Sequence, residues 1–243
     1  MSGRHRTQTH TYDYPRPMVT VDLVVIAPRD DRLSLLLVRR GKPPYEGSWA
    51  LPGGFVEMDE SLADAARREL AEETGLNLPK SAANPSRRSS NVWMDQLRAF
   101  GQPDRDPRGR TITVAYLVLI RPGYASWVRA GDDAADARWF DPRRLPRLAF
   151  DHRQIVRTAM TRLRDDMEHA GLAFRLVPAT FTLAELQRTY EMIFGRDLNR
   201  DRFRRRVRGL GVLEPTSASA KRAGRSETRF RYRPGRKRIG DVR

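Results

Sequence analysis

Three carboxylates, Glu69, Glu72 and Glu73, stand at i, i+3 and i+4 in a segment whose apolar residues Leu62, Ala66 and Leu70 recur at helical spacing. On a helix they share one face. Like charges that close repel one another unless a hard cation sits among them, and their oxygens suit Mg²⁺ or Mn²⁺ bound together with substrate phosphates. Arg68 reaches Glu72 across one turn and holds the array in place. Gly53 and Gly54 come just before, where a missing Cβ lets the backbone approach a ligand closely. An exposed acidic face paired with Arg67 and Arg68 would account for the charges, but not for the paired glycines or for the offset of Glu60.

A second set is basic. Phe203, Val207 and Leu210 make a narrow apolar seam, and Arg202, Arg204, Arg205 and Arg208 cover the outer face of the same short segment. Arginines one turn apart repel by a few tenths of a kcal/mol per pair, so a polyanion relieves them. Just upstream, Thr182 and Glu185 make a capping box, Phe181 and Leu186 a hydrophobic staple, and Gly195 a stop. Asn199 then caps the arginine segment. The pattern is a helix-turn-helix with a recognition helix over 199–209, aimed at the major groove of double-stranded DNA. Lys221 and Arg222 sit in a loop between short extended runs at 212–214 and 230–232, as a wing on the adjacent backbone. A solvated basic helix with a loose tail is the plainer alternative. The aromatic sheet of base-stacking RNA modules is missing.

Composition bounds the rest. The chain has 243 residues with a net charge of +16; residues 1–150 carry +4 and residues 151–243 carry +12. That asymmetry suits a polyanion partner for the C-terminal part. Zero cysteine excludes disulfides, thiolate metal sites and a thiol nucleophile. The first ten residues hold no apolar h-region, and no apolar run spans a bilayer, so a cytoplasmic protein with no membrane association is expected. The histidines His5, His10, His152 and His169 lack metal-ligand spacing; His152 is expected at a helix cap. Trp49, beside the glycine turn, is either a core residue or a stacking surface for a base.

The elements that must position these groups read as follows. Val19–Ile26 and Leu33–Arg39 are strands around a turn, 41–54 is a Pro/Gly loop, and a helix runs from Ser61 to Glu73 with Gly75 closing it. The segment 79–91 is polar loop. Strands are expected over 92–100, 111–120 and 137–140, and Asp151 is expected to cap a helix carrying Ile155, Ala159, Leu163 and Met167. The segments divide into a tail (1–16), an α/β domain (17–150), a connecting helix and linker (151–178), a helix-turn-helix domain (179–236) and a second tail (237–243).

Gly54, Glu60 and the run Arg68-Glu69-Leu70-Ala71-Glu72-Glu73-Thr74-Gly75-Leu76 match the Nudix box at every specified position, an agreement expected by chance roughly once in a billion starts. Residues 18–148 resemble a Nudix domain, which implies an α/β/α sandwich and hydrolysis of a nucleoside diphosphate linked to another moiety. The resemblance implies Glu69, Glu72 and Glu73 as metal ligands, Glu72 and Glu73 as the catalytic pair if the protein is active, and Glu57 and Glu60 as further acids. Asp59 departs from the glycine common before the box glutamate. A base from a distal loop would be Asp132, Asp133 or Asp136.

The segment 100–110 with the strand after it resembles Nudix members that handle ADP-ribose. Its arginines Arg105, Arg108 and Arg110 either contact diphosphate or pair with the interleaved aspartates, and Arg39 or Arg40 is a candidate phosphate ligand. Together with Phe181–Gln187 and Phe203-Arg204-Arg205, the chain resembles the Nudix-related transcriptional regulators of NAD metabolism over residues 15–235. That implies a homodimeric repressor of NAD biosynthesis genes, with a winged helix on operator DNA and an ADP-ribose-like effector in the Nudix pocket. A Mg²⁺-dependent ADP-ribose pyrophosphohydrolase, alone or as a second activity, is the alternative that the intact glutamates support.

Overall fold

β1 (Met18–Arg29) is buried along nearly its whole length, which only a strand covered on both faces allows. The computed structural model, which describes residues 13–79, 91–124, 134–169, 171–222 and 225–233, places it in the middle of a seven-stranded mixed sheet. β1 runs parallel to β6 (Thr111–Ile120) and antiparallel to β2 (Arg32–Arg40) and β4 (Gly53–Phe55). β3 (Trp49–Ala50) and β7 (Ala134–Phe140) pair with β2, and β5 (Val92–Phe100) with β6. The loop expected over 41–54 therefore contains two short strands, because Trp49 and Gly53 complete ladders whose partners lie far away in sequence.

Alternation along the strands sends two sets of side chains to opposite faces. Val21, Leu23 and Val25 meet Ala65, Ala66 and Leu70 of α1 (Leu62–Thr74). Ser61 caps this helix by accepting from the Asp64 amide, and Gly75 ends it at φ 69°. Val24, Ile26 and Leu117 meet Ile155, Ala159, Leu163 and Met167 of α2 (His152–His169). The result is an α/β/α sandwich, and the helix read as a connector is its second outer layer. Asp151 stands just ahead of α2 as expected, its carbonyl accepting from the Gln154 and Ile155 amides, but its carboxylate accepts from Arg105 instead of capping the helix.

The second apolar cluster does not stop at the sheet. It continues through Leu172, Phe174, Leu176 and Val177 into Leu183, Leu186, Tyr190, Ile193, Phe203 and Val207. The linker expected over 171–180 is thus core, with a 3-10 turn at Leu172–Arg175. Beyond it, α3 (Leu183–Phe194) and α4 (Arg200–Gly209) make a helix-turn-helix. β8 (Leu213–Arg222) and β9 (Arg225–Tyr232) form the wing hairpin. These strands are longer than the two short runs expected, since the antiparallel ladder carries through Ser, Ala and Lys to the tip. Among the described residues, no helix is long and apolar enough to cross a membrane.

The capping box at α3 is complete: Thr182 accepts from the Glu185 amide at 3.2 Å, and Glu185 accepts from the Thr182 amide at 2.7 Å. Thr182→Ala removes the hydroxyl that accepts from the Glu185 amide and leaves that amide without a side-chain partner in a nearly buried position. It should lower stability by about 1 kcal/mol, read as a lower urea midpoint at unchanged slope.

Candidate functional site

The first site is built where β4 meets α1. Gly54 lies against Glu69 so closely that a Cβ there would fall 2.4 Å from the Glu69 carboxylate. Gly53, at φ 150°, donates its amide to Glu73 at 2.9 Å. The two glycines therefore shape a backbone bed for two of the three helix carboxylates. Arg68 is the hub of the rest: it pairs with Glu60 at 2.6 Å, Glu69 at 2.8 Å and Glu72 at 3.1 Å, and donates to the Phe55 carbonyl at 3.0 Å. The guanidinium hydrogen bond holds the Glu60 carboxyl below its ordinary range. Burial pushes Glu69 up, and pushes Glu73 from 4.5 to about 8.

A cavity of about 520 Å³ opens over this bed. Opposite the glutamates its wall is cationic and aromatic. The Arg40 guanidinium lies 4.9 Å from the Phe150 ring, and Arg108 lies 4.9 Å from Phe55 and 5.6 Å from Phe150. Tyr45 meets Phe150 edge-on at 4.9 Å. Arg40 is lowered from its ordinary value, by burial first and by Arg108 second. Acid on one side and guanidinium with rings on the other suit a molecule with anionic groups and a planar ring.

The floor is a buried polar network. Arg105 pairs with Asp151 at 2.8 Å and with Asp22 at 3.3 Å. His152 accepts from the Leu51 amide at 2.9 Å through Nδ1, and its Nε2 lies 3.3 Å from Asp22. Because Nδ1 accepts, the proton is assigned to Nε2, which donates to Asp22, and burial pushes this histidine below its ordinary value. His152 ties the start of α2 to the loop ahead of the glycine bed, rather than capping the helix.

Of the residues picked from sequence, Gly54, Glu57, Glu69, Glu73, Arg39, Arg40, Arg105 and Arg108 line this cavity. Glu72 is an exposed arm of the Arg68 hub. Arg39 donates to the Gly47 carbonyl, and Arg110 to the Gly101 carbonyl away from the cavity. Within segment 100–110, Arg108 takes the interleaved Asp106 at 2.7 Å, and Arg105 takes aspartates from elsewhere. Trp49 is a core residue, edge-on to Phe140 at 4.8 Å. Asp136 pairs with Arg138 on β7; Asp132 and Asp133 lie outside the described residues, as do His5 and His10. Phe55 and Phe150 were not picked out by sequence reasoning, and the two rings carried no signal there.

The donor set fits a hard divalent cation: carboxylate oxygens in a bed that a single Cβ would fill. Among the described residues, however, no three acidic or histidine side chains stand together closely enough to hold a metal ion. Arg68 occupies the space between Glu60, Glu69 and Glu72, so a cation would have to share these carboxylates with it.

The second site is α4. Asn199 accepts from the Arg202 amide at 2.9 Å, and Phe203 and Val207 anchor the helix in the core. Arg202, Arg205 and Arg208 are exposed along its outer face. Arg204 differs from them: half-buried, it pairs with Glu227 of β9 at 3.1 Å and ties helix to wing. Lys221 and Arg222 fall at the tip of the hairpin, on strands rather than in a loop.

Comparisons with known proteins agree with this geometry. Residues 16–159 match the NUDIX domain family, and residues 173–232 match the NrtR DNA-binding winged helix domain. The chain is 34% identical over 224 residues to the ADPR responsive transcriptional repressor NtrR of Acinetobacter baylyi, covering 90% of this chain and 84% of that one. It superposes on Shewanella oneidensis NrtR solved with a 27mer DNA at a TM-score of 0.71 and 31% identity, over 88% of this chain and 93% of that one. The Nudix domain of the same Shewanella protein, solved with ADP ribose, matches at 0.52 and 33%, over 63% and 94%.

Two predictions follow from the pocket. Arg105→Met leaves Asp22 and Asp151 buried without their counter-charge, and should cost about 3–5 kcal/mol in urea unfolding. For Glu73, a folded pKa raised from 4.5 to about 8 means that the folded state binds the extra proton. Its contribution to stability is full below pH 4.5 and is lost as pH rises through 8. In metal-free protein, Glu73→Gln should flatten the decline of stability across that window. A Nudix domain carrying an NrtR winged helix, matched along nearly the whole chain, places this protein in the NrtR family.

Proposed function

We propose that the chain is a transcriptional repressor that binds operator DNA through α4 and its wing and responds to ADP-ribose-like ligands in the Nudix cavity. The carrying observation is the presence, on one continuous apolar cluster, of an acid-and-guanidinium cavity and an arginine-faced recognition helix. The Acinetobacter and Shewanella relatives support the same pairing of ligand and DNA.

In this reading Arg40 and Arg108 receive the diphosphate, and Phe150 and Phe55 flank a ring. Glu69, Glu72 and Glu73 would hold Mg²⁺ or Mn²⁺ once Arg68 yields Glu69 and Glu72, and the ion would neutralise and polarise the diphosphate. Phe150, Asp151 and His152 lead directly into α2, whose other end packs on α3. A ligand that prefers one seating of this junction shifts the winged helix, and by linkage DNA shifts ligand affinity equally. Arg202 and Arg205 read base edges; Arg208, Lys221 and Arg222 take phosphates. Arg204 holds the wing and contributes charge from the second rank. A homodimer would set two recognition helices about 34–36 Å apart on a near-palindromic operator, upstream of NAD biosynthesis genes.

The test is fluorescence anisotropy of such promoter DNA at about 150 mM salt, with and without ADP-ribose. Sequence-specific binding that ADP-ribose weakens is the expected result; salt-sensitive binding indifferent to sequence overturns it. Arg205→Ala should cost about 1–3 kcal/mol on operator DNA. The intact glutamate set favours a second activity, hydrolysis of ADP-ribose by water to AMP and ribose 5-phosphate. Release of AMP that requires Mg²⁺ and disappears in Glu72→Gln would establish it, and absence of AMP would leave binding alone.

A further inference from the structure

A second cavity, of about 360 Å³, lies where the two domains meet. Its walls come from the residue after β6, the 3-10 turn, the segment entering α3 and the end of β9. Three of its lining residues are arginines, Arg121, Arg175 and Arg231, and none of the described lining residues is acidic. Three others are rings: Phe174 stacks on Tyr232 with centroids 4.0 Å apart, and Phe181 lies 5.5 Å from Phe174. The size falls within the range of small-molecule pockets.

The cavity is held in shape rather than left to solvent. Arg121 spans from the sheet to the segment entering α3 by donating to the Val177 carbonyl. Tyr232 packs against Gly171, where a Cβ would lie 2.7 Å from its hydroxyl oxygen. Arg121 is held below its ordinary value by burial first and by the Arg175 charge second.

We propose that this junction cavity is a second small-molecule site, taking a planar ring that carries a phosphate or carboxylate group, about the size of a mononucleotide. Guanidinium groups bind such anions through paired donors, and the aromatic wall accepts the ring. Because the walls belong to both domains, an occupant favours the seating of the winged helix in which the walls converge. It is thus a separate input to DNA binding and does not rest on the reading of the Nudix cavity.

The test is calorimetric titration of the full-length protein with CMP, phenyl phosphate and inorganic phosphate, each with and without saturating ADP-ribose. CMP and phenyl phosphate should bind at one site per chain whether or not ADP-ribose is present, and inorganic phosphate should bind at least tenfold more weakly. Arg175→Gln and Arg231→Gln should each weaken binding about tenfold, with thermal unfolding confirming that both variants fold. Absence of binding by both ring compounds, displacement by ADP-ribose, or unchanged affinity in both variants overturns the site. Inorganic phosphate binding as tightly as CMP overturns the ligand class.

Discussion

A single buried guanidinium, Arg105, joins three pieces of chain that are distant in sequence: Asp22 on the central strand, its own loop after β5, and Asp151 at the entrance to α2. Two carboxylates and a histidine could not be desolvated together without it. Because the Arg105 fork meets Asp151 through two nitrogens, it fixes direction as well as distance. The floor of the Nudix cavity, the seating of Phe150 in its wall and the first turn of α2 all follow from that placement. Effector chemistry and helix position thereby share the same atoms.

The acidic half of the cavity was legible in the sequence because its determinants are local. Glu69, Glu72 and Glu73 lie within one helical turn and a half, and the spacing of Leu62, Ala66 and Leu70 fixes which way they face. The glycine pair could be read as a close approach, although not that Glu69 itself is what approaches Gly54. The aromatic residues of the other half were not legible, and its arginines could be read only as candidates among several. Arg40, Phe55, Arg108 and Phe150 come from four separate segments, and only the sheet register brings them together. An arginine among aspartates cannot announce from its neighbours alone which will be its partner; Arg108 took Asp106, and Arg105, next to that aspartate in sequence, pairs with Asp22 and Asp151 instead.

The winged helix followed the same rule. Its caps and seam were readable, since a capping box is a four-residue pattern and Phe203 and Val207 are a single turn apart. The pairing of Arg204 with Glu227 was not, because it crosses from helix to hairpin. Nor did the polar composition of 213–222 suggest a strand as long as β8; a ladder partner, not side-chain preference, decides it. The stretch read as a linker turned out to be core for a related reason. Its Phe174, Leu176 and Val177 have no periodicity of their own, and their burial depends on surfaces supplied by both domains.

The unbroken apolar cluster from the central sheet to the recognition helix has a consequence for how such a protein can change over generations. Two modules joined by a solvated tether can be exchanged, duplicated or separated at little cost to either. Here the tether is interior. A winged helix borrowed from another source would arrive without complementary partners for Phe174, Leu176 and Val177, and a detached Nudix half would expose them to water. The two halves must therefore drift in step, each substitution at the seam answered across it, and the pairing of this sensor with this reader is inherited as one unit.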